Sequence, residues 1–306
     1  MAKLKTKWRS ITIGYLLVSY FVIVVINHLP VSYFIIGLGI YFLLFILIFL
    51  GTFVGVLGVL IQSFTRNNQK ALPFYKSAYK LGTQNTTILA TYGLLLLRNN
   101  EVHQALECFD KGLKTNSYFL TTKTLMGNKA ICYWKLGQLD KAIQIYYDFF
   151  NKYGAENQAF LEDHSYLEDR IHDVVKDNPY FYPQDFTTLG YLFILKEDYI
   201  KATFFTKAAL SKQEDYAAAY DNLGQIAYRQ DDLAVAKKYF LKALELDENA
   251  PDTLYQMGKL YQLENNNTEA LLYLEKAKNC HLDGLSTISY EMIDAAINHP
   301  LPHTNL

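Results

Sequence analysis

Charged residues are missing from residues 10–65, a stretch that contains no Lys, Arg, Asp or Glu. Acidic residues are missing from all of residues 1–100, which carry nine basic residues. The remaining 206 residues contain 30 acidic and 20 basic residues, a net charge of −10. This balance excludes a nucleic-acid-binding domain, which would place a basic stripe on the folded part of the chain.

Cysteine is scarce, and Cys108, Cys132 and Cys280 lie far apart without a CxxC pair. This spacing excludes a disulfide framework and predicts reduced thiols. Enzyme motifs are also missing, since the sequence contains no G-x-x-x-x-G-K-[ST], no HExxH and no GxSxG. We therefore predict a protein that is not an enzyme and has no catalytic residues, cofactor or metal site.

The uncharged stretch is too long for one membrane helix, which needs about 20 residues. Residues 27–30, NHLP, divide it because they are polar and end in proline. We therefore predict two transmembrane helices within residues 1–65, one at residues 11–26 and one from residue 31 onwards. A cleaved signal peptide is the alternative, but no small-x-small cleavage site follows the first apolar stretch.

Four basic residues precede the first predicted span, four follow the second, and none lies in the turn between them. Basic residues flanking a span remain on the cytoplasmic side. This pattern predicts an integral protein of the cell membrane with residues 66–306 facing the cytoplasm.

Gly51 and Gly55 have the GxxxG spacing within the second predicted span. Small residues at this spacing let two helices approach closely in lipid. The spacing is compatible with a homodimer through Gly51 and Gly55, with packing of the second span on the first, or with the ordinary frequency of glycine in membrane helices.

Residues 66–306 contain an internal repeat. Two sets of small residues recur every 34 positions: Gly190, Gly224 and Gly258, and Ala202, Ala236 and Ala270. Two earlier units have the same pattern of small and large residues. Paired helices of this period resemble the tetratricopeptide repeat family, and the resemblance covers roughly residues 69–284. It implies an all-α solenoid in which each small residue lets two helices cross closely.

Residues 69–81 are in phase with the repeats. Ala71, Tyr75 and Ala78 lie 34 positions before Ala105, Phe109 and Gly112. We predict that residues 69–81 form the second helix of a first repeat, with residues 54–65 as its first helix. An amphipathic helix at a membrane surface is the alternative interpretation.

Two segments depart from the period. Residues 155–182 interrupt it and predict an extra helix, whereas residues 287–299 predict a helix that covers the last repeat. His164, Glu168 and His172 share one face of the extra helix at spacings of four residues. Three such residues without further ligands are more typical of a solvated face than of a metal site.

The resemblance also implies that the first helix of each pair lines a groove that binds a protein or peptide. Tyrosines with mixed charges suit such a ligand, because they combine apolar area with a polar group. The predicted groove residues, which are expected to be exposed, are Tyr191, Asp221, Gln225, Tyr228, Arg229, Tyr255 and Lys259, in a stripe that also contains Thr187, Ile194 and Gln262.

Some members of the family clamp a C-terminal carboxylate with Asn and Lys side chains. Asn128 and Asn222 match the Asn positions, but the accompanying lysines are missing here. We therefore predict a membrane-tethered adaptor, or scaffold, that holds a partner protein or peptide at the cytoplasmic face. The alternative is a structural subunit of a membrane complex, anchored by the hairpin and docked by the repeats.

Overall fold

The structure is a computed structural model of the 306-residue chain and describes residues 31–115, 119–153 and 180–299. For residues 31–34, 38, 41, 42, 44–48 and 151–153 the description is limited to the backbone. The described residues contain helices and no strand, which confirms the predicted all-α class. The helices are α1 (Val31–Thr65), α2 (Asn68–Lys80), α3 (Thr86–Arg98), α4 (Val102–Leu113), α5 (Phe119–Lys135), α6 (Leu139–Tyr153), α7 (Pro183–Leu195), α8 (Tyr199–Lys212), α9 (Ala217–Arg229), α10 (Leu233–Leu246), α11 (Pro251–Leu263), α12 (Asn267–Asn279) and α13 (Tyr290–Asn298).

The chain divides into two compact units, residues 1–83 and 84–306. In the first unit, α2 folds back along the second half of α1, and the Tyr75 hydroxyl donates a 2.6 Å hydrogen bond to Gln62 Oε1. The small residues Ala71 and Ala78 are buried together with Tyr75, in agreement with the repeat phase. Helix α2 therefore lies in the same unit as α1, whereas the sequence analysis set the domain boundary after residue 65.

The glycines of α1 face α2 of the same chain. A side-chain carbon at Gly51 would lie 3.1 Å from the Ala78 carbonyl oxygen, and one at Gly58 would lie 3.2 Å from Phe74 Cβ. Gly55, between them, is also buried. The predicted homodimer through Gly51 and Gly55 is not supported, because this glycine face is already packed within the chain.

Among the described residues, no helix is both long enough and apolar enough to cross a membrane. This finding contradicts the predicted integral-membrane localisation, and the predicted transmembrane hairpin is not supported. Helix α1 has 35 residues without a charged side chain, but 12 of its side chains lie outside the description, as do residues 11–30 with the first predicted span. Its second half packs on α2, and on its other face Phe53 and Phe64 are exposed.

The second unit repeats one turn between the two helices of each pair. The middle one of the three turn residues has a positive φ: Asn100, Gly137, Glu197, Asp231 and Asn265. The next N–H reaches back to the helix, as in the 3.0 Å bond from Asp232 N to the Ala227 carbonyl oxygen. That same residue then caps the second helix, since Asp232 Oδ1 accepts the Val235 N–H at 3.1 Å. Asn, Asp and Gly tolerate this backbone best, which explains the polar turns of the repeat.

Helix pairs cross at the repeated glycines. A side-chain carbon at Gly224 would lie 2.5 Å from the Phe240 ring, and one at Gly258 would lie 2.6 Å from Leu274 Cγ. The larger residue of the partner helix thus occupies the space that the glycine leaves, as in any close-packed interior. This packing confirms the repeat register predicted from the sequence.

Helix α13 covers the last helix pair, at the place where the sequence predicts a terminal helix. Its residue Ile293 is buried, and Gln262 of α11 donates a 2.7 Å hydrogen bond to the Ala296 carbonyl oxygen. The predicted extra helix is a different case, because residues 154–179, including His164, Glu168 and His172, lie outside the described residues.

Candidate partner-binding groove

A non-helical segment, residues 281–289, joins α12 to α13 and reaches residues of α3, α5, α7 and α11. We call this segment the strap. All four helices are first helices of their pairs, so the strap runs along the face on which the groove is predicted. We call this face the groove, defined by α3, α5, α7, α9 and α11.

One end of the strap is fixed to the carboxyl end of α3. The Gly284 N–H donates a 2.7 Å hydrogen bond to the Arg98 carbonyl oxygen, and Asp283 Oδ2 lies 3.5 Å from Arg98 Nε. The last carbonyl groups of a helix have no partner within the helix, so they are available to such a segment. A side-chain carbon at Gly284 would overlap the Leu97 carbonyl oxygen. Glycine is therefore required at this position of the strap.

The strap is also fixed to α5 and α11. Lys135 Nζ donates a 3.0 Å hydrogen bond to the Ser286 carbonyl oxygen. Thr287 donates both its hydroxyl and its N–H to the Asp252 carboxylate, and its side chain also hydrogen bonds to the Tyr191 hydroxyl. Together with the contacts at Arg98, these hydrogen bonds join the strap to four helices, α3, α5, α7 and α11.

Cavities remain on both sides of the strap. One has a volume of about 220 Å³ and is lined by α5, α7, α9, the start of α11 and the strap: Ala130, Ile131, Trp134, Thr187, Thr188, Tyr191, Leu192, Ala218, Asp221, Asn222, Gln225, Asp252, Leu285 and Thr287. The other, of about 400 Å³, lies between Arg98, Lys135, the strap and the start of α13. The strap therefore fills only part of the groove.

Asp221 gives the smaller cavity its polar character. The Thr253 hydroxyl donates to Asp221 Oδ1 at 2.7 Å, and the Gln225 amide donates to Asp221 Oδ2 at 2.6 Å. The pKa of Asp221 is raised to about 6, mainly by burial; the two hydrogen bonds act against this rise, and the charge of Asp252 contributes to it. Both donors are neutral, so the carboxylate can still interact with a cationic or hydrogen-bonding group of a ligand.

Asp252 and Lys135 form a second polar pair beside the strap. Burial raises the pKa of Asp252, while the hydrogen bonds from Thr287 and the charge of Lys135 lower it. Burial lowers the pKa of Lys135, against the effect of Asp252 and Asp283. The opposite charges of Asp252 and Lys135 thus oppose the effect of burial on each other's pKa. In such a partly dehydrated site a hydrogen bond to the strap is stronger than in water.

Three family models described as Tetratricopeptide repeat match the chain, at residues 93–149, 217–250 and 251–279. The chain contains tetratricopeptide repeats. The positions of the matches agree with the helix pairs α3–α6, α9–α10 and α11–α12. No curated protein matches the chain.

Several solved structures are similar to the chain. A tetratricopeptide repeat protein from Parabacteroides merdae is 15% identical with a TM-score of 0.49, over 81% of this chain and 97% of that one. A structure titled Functional Characterization of Pseudomonas Aeruginosa pilF is 13% identical with a TM-score of 0.47, over 80% and 96%. YrrB, titled a TPR protein with an unusual peptide-binding site, is 17% identical with a TM-score of 0.38, over 73% and 97%.

The tetratricopeptide repeat solenoid divides the seven predicted groove residues into two groups. Tyr191, Asp221 and Gln225 line the smaller cavity. The other four lie at the carboxyl end of α9 and in the middle of α11, where Lys259 Nζ is 5.9 Å from the ring centres of both Tyr228 and Tyr255. That they bind a partner stays a prediction.

The predicted exposure of this stripe is wrong at several positions. Gln225 and Tyr255 are 6% and 8% exposed, and the stripe residues Thr187, Ile194 and Gln262 are buried too. Tyr255 belongs to one hydrophobic cluster with Ile288 of the strap and Ile293 of α13, and Gln262 hydrogen bonds to α13. Ile194 instead belongs to the hydrophobic core of the helix pairs. Asn222, at a position where the family clamps carboxylates, instead donates a 2.8 Å hydrogen bond to the Thr187 carbonyl oxygen and joins α9 to α7.

Sequence analysis missed the strap and with it Trp134, Lys135 and Asp252. Residues 283–287, DGLST, contain an Asp-Gly pair, which indicates a turn but not its partners. The 34-residue period does not predict these contacts, because Lys135 and Ser286 are 151 positions apart.

Proposed function

We propose that this protein is a non-enzymatic scaffold whose second unit binds an extended segment of a partner protein in the groove. The observation that supports this most directly is the strap itself. It is a non-helical segment held across the first helices by two backbone hydrogen-bonding groups, one ion pair and one threonine. A surface that holds one such segment has the donors and acceptors to hold another of similar chemistry.

The chemistry of the nucleophilic side chains supports a binding role over catalysis. Burial raises the pKa of Cys108 and of Cys132 to about 12. The reactive form of cysteine is the thiolate, so neither side chain is a nucleophile at neutral pH. The alternative of a structural subunit anchored by a transmembrane hairpin requires membrane spans, and no described helix is long and apolar enough to provide one.

Photo-crosslinking tests the proposal. p-Benzoylphenylalanine would replace Tyr191 in the groove or, as a control, Lys238, an exposed residue of α10 outside both cavities. We expect irradiation in cells to link a partner protein to the Tyr191 variant and not to the Lys238 variant. The contacted segment, identified by mass spectrometry, should bind the purified chain, and Asp221→Ala should weaken that binding. Crosslinks confined to position 238 would contradict the proposal.

A further inference from the structure

The strap occupies the groove without packing tightly into it. Of its nine residues, Gly284 and Ile288 are buried and the other seven are exposed or half-buried. Cavities of about 220 Å³ and about 400 Å³ adjoin it. Segments with few buried apolar contacts open locally at a much lower free energy than the core does. The strap can therefore leave the groove while the helix pairs stay folded.

The strap contacts define the chemistry that the groove selects. The Arg98 guanidinium forms an ion pair with an acidic side chain. The carboxyl end of α3 accepts a hydrogen bond from the N–H of a residue that must be glycine. Lys135 donates a hydrogen bond to the backbone carbonyl group two residues after that glycine. Asp252 accepts hydrogen bonds from the hydroxyl and the N–H of the threonine that follows. The order is thus acidic residue, glycine, any residue, any residue, hydroxyl residue.

Hydrogen bonds within the strap itself favour the conformation that it has in the groove. Asp283 Oδ1 accepts the Leu285 N–H at 2.8 Å, and the Ser286 hydroxyl accepts the Asp283 N–H at 3.2 Å. The Ser286 N–H donates to the Asp283 carbonyl oxygen at 3.0 Å, which closes the turn. A preformed turn loses less conformational entropy when it binds.

We propose that the strap is an intramolecular ligand of the groove, and that the partner is a protein segment with the same Asp-Gly-x-x-Thr layout that binds by displacing it. This inference rests on the proposed function and names the partner's chemistry. A tethered ligand acts at a local concentration that is typically on the order of millimolar, so it weakens binding of any free competitor. Full-length protein is therefore largely closed to a partner, and loosening the strap opens it.

The test uses a fluorescein-labelled peptide of residues 281–290, HLDGLSTISY, and the full-length chain. Gly284→Val should expel the strap, because a side chain at this position overlaps the Leu97 carbonyl oxygen. We expect the peptide to bind the Gly284→Val chain at least tenfold more tightly than the wild-type chain, by fluorescence anisotropy. The same peptide with Val at position 284 should bind neither chain.

Hydrogen exchange shows whether the strap has left the groove, and a second variant loosens the strap in a different way. Exchange of the Gly284 to Thr287 amides should become faster in the Gly284→Val chain, while the amides of α9 and α11 stay protected. Thr287→Val, which removes the hydroxyl donated to Asp252 but keeps the glycine, should give an intermediate gain in peptide affinity. It replaces Gly284→Val in the test if that variant does not fold.

The inference would be overturned by equal peptide affinity for wild-type and opened chains, or by no binding to a folded chain whose strap amides are exposed. A strap that stays protected in the Gly284→Val chain would also overturn it. Crosslinking at position 191 reports separately on the proposed function. If it captures a partner while the peptide does not bind, the groove binds proteins but the strap is not their competitor.

Discussion

Two carboxylates on successive first helices, Asp185 of α7 and Asp221 of α9, are both withdrawn from water and have different neighbours. Asp185 lies 2.6 Å from Lys123 Nζ, and both side chains are about nine-tenths buried. Asp221 accepts hydrogen bonds from two neutral donors and borders a cavity. The first carboxylate joins α5 to α7, whereas the second lines the groove. We call these two regions the junction and the groove.

The difference shows what each carboxylate contributes. A buried ion pair leaves an uncompensated charge when one partner is removed, so the junction tolerates no single change. A carboxylate held by neutral donors at a cavity costs folding free energy when it ionises, and that cost is compatible with binding a ligand. The ion pair at the junction therefore stabilises the solenoid. In the groove, the ionised Asp221 carboxylate lowers the folding stability but is available to bind a ligand.

The largest expected effect is at the junction. Lys123→Met leaves the Asp185 carboxylate buried without its cation, and it removes the contact of Lys123 Nζ, 3.4 Å from the centre of the Tyr182 ring. We expect the free energy of unfolding to fall by about 3–5 kcal/mol, measured by urea denaturation. Asp185→Asn, which keeps an acceptor for the Tyr182 N–H, should lose a similar amount. The double variant should lose much less than the sum of the two. Full additivity would show that the two charges do not depend on each other.

The next largest effect is a difference in stability between alanine substitutions at a packed and at an unpacked glycine of the first helices. Gly224→Ala would place a carbon 2.5 Å from the Phe240 ring, whereas the nearest neighbour of a carbon at Gly127 is the Tyr146 hydroxyl oxygen, 3.8 Å away. We expect Gly224→Ala to lower the free energy of unfolding by about 1–3 kcal/mol through overpacking. Gly127→Ala should leave it unchanged or raise it by up to about 1 kcal/mol, because alanine favours helix. Equal thermal unfolding curves for the two variants would mean that the repeat register is wrong.

A smaller effect concerns the pH dependence of the groove. The pKa of Asp221 is about 6 in the folded chain and 3.8 as its ordinary value, so the folded state binds a proton more readily than the unfolded state. The Asp221 contribution to stability therefore increases as pH falls from about 7 to 4 and is constant above and below that window. Asp221→Asn should remove it and make the chain more stable at pH 7 by on the order of 1 kcal/mol.

Urea denaturation at pH 7, 5 and 4 measures this difference. We expect the gap between Asp221→Asn and wild type to shrink as the pH falls, because the wild-type carboxyl becomes protonated. Asp185→Asn is a suitable comparison, because burial also raises the pKa of Asp185 but its loss leaves Lys123 unpaired. A gap that is constant with pH would show that Asp221 is ionised equally easily in the folded and unfolded chain.

The smallest effect is expected in the second group of groove residues. Lys259 lies 5.9 Å from the Tyr228 and Tyr255 ring centres, and burial together with the Arg229 charge lowers its pKa. Lys259→Met keeps the aliphatic stem and removes the cation, so we expect a loss of at most about 0.5–1 kcal/mol in stability. Lys238→Met, on the exposed face of α10, should have no measurable effect. A loss comparable to that of Lys123→Met would place Lys259 in the folding core.

The repeat was the part of the fold that could be predicted from the sequence. Gly224 and Phe240 are 16 positions apart and in contact, and the same relation holds for Gly258 and Leu274. Such contacts recur with a fixed period, so one pattern predicts all of them. For the apolar stretch before the repeats, the repeat phase predicted that residues 54–65 pair with residues 69–81, and Gly58 packs against α2 there. Hydropathy, by contrast, does not show that the stretch packs within the chain.

By itself, the sequence determined the helix pairs, the register of their glycines and the polar turns at Asp231 and Asn265, because local propensity and nearest-neighbour packing are both encoded at short range. Tertiary structure alone decided which groove residues are exposed. The strap meets Arg98 and Lys135, and Lys123 meets Asp185, across long separations in sequence. These contacts occur once, follow no period, and form only when the solenoid brings distant helices together.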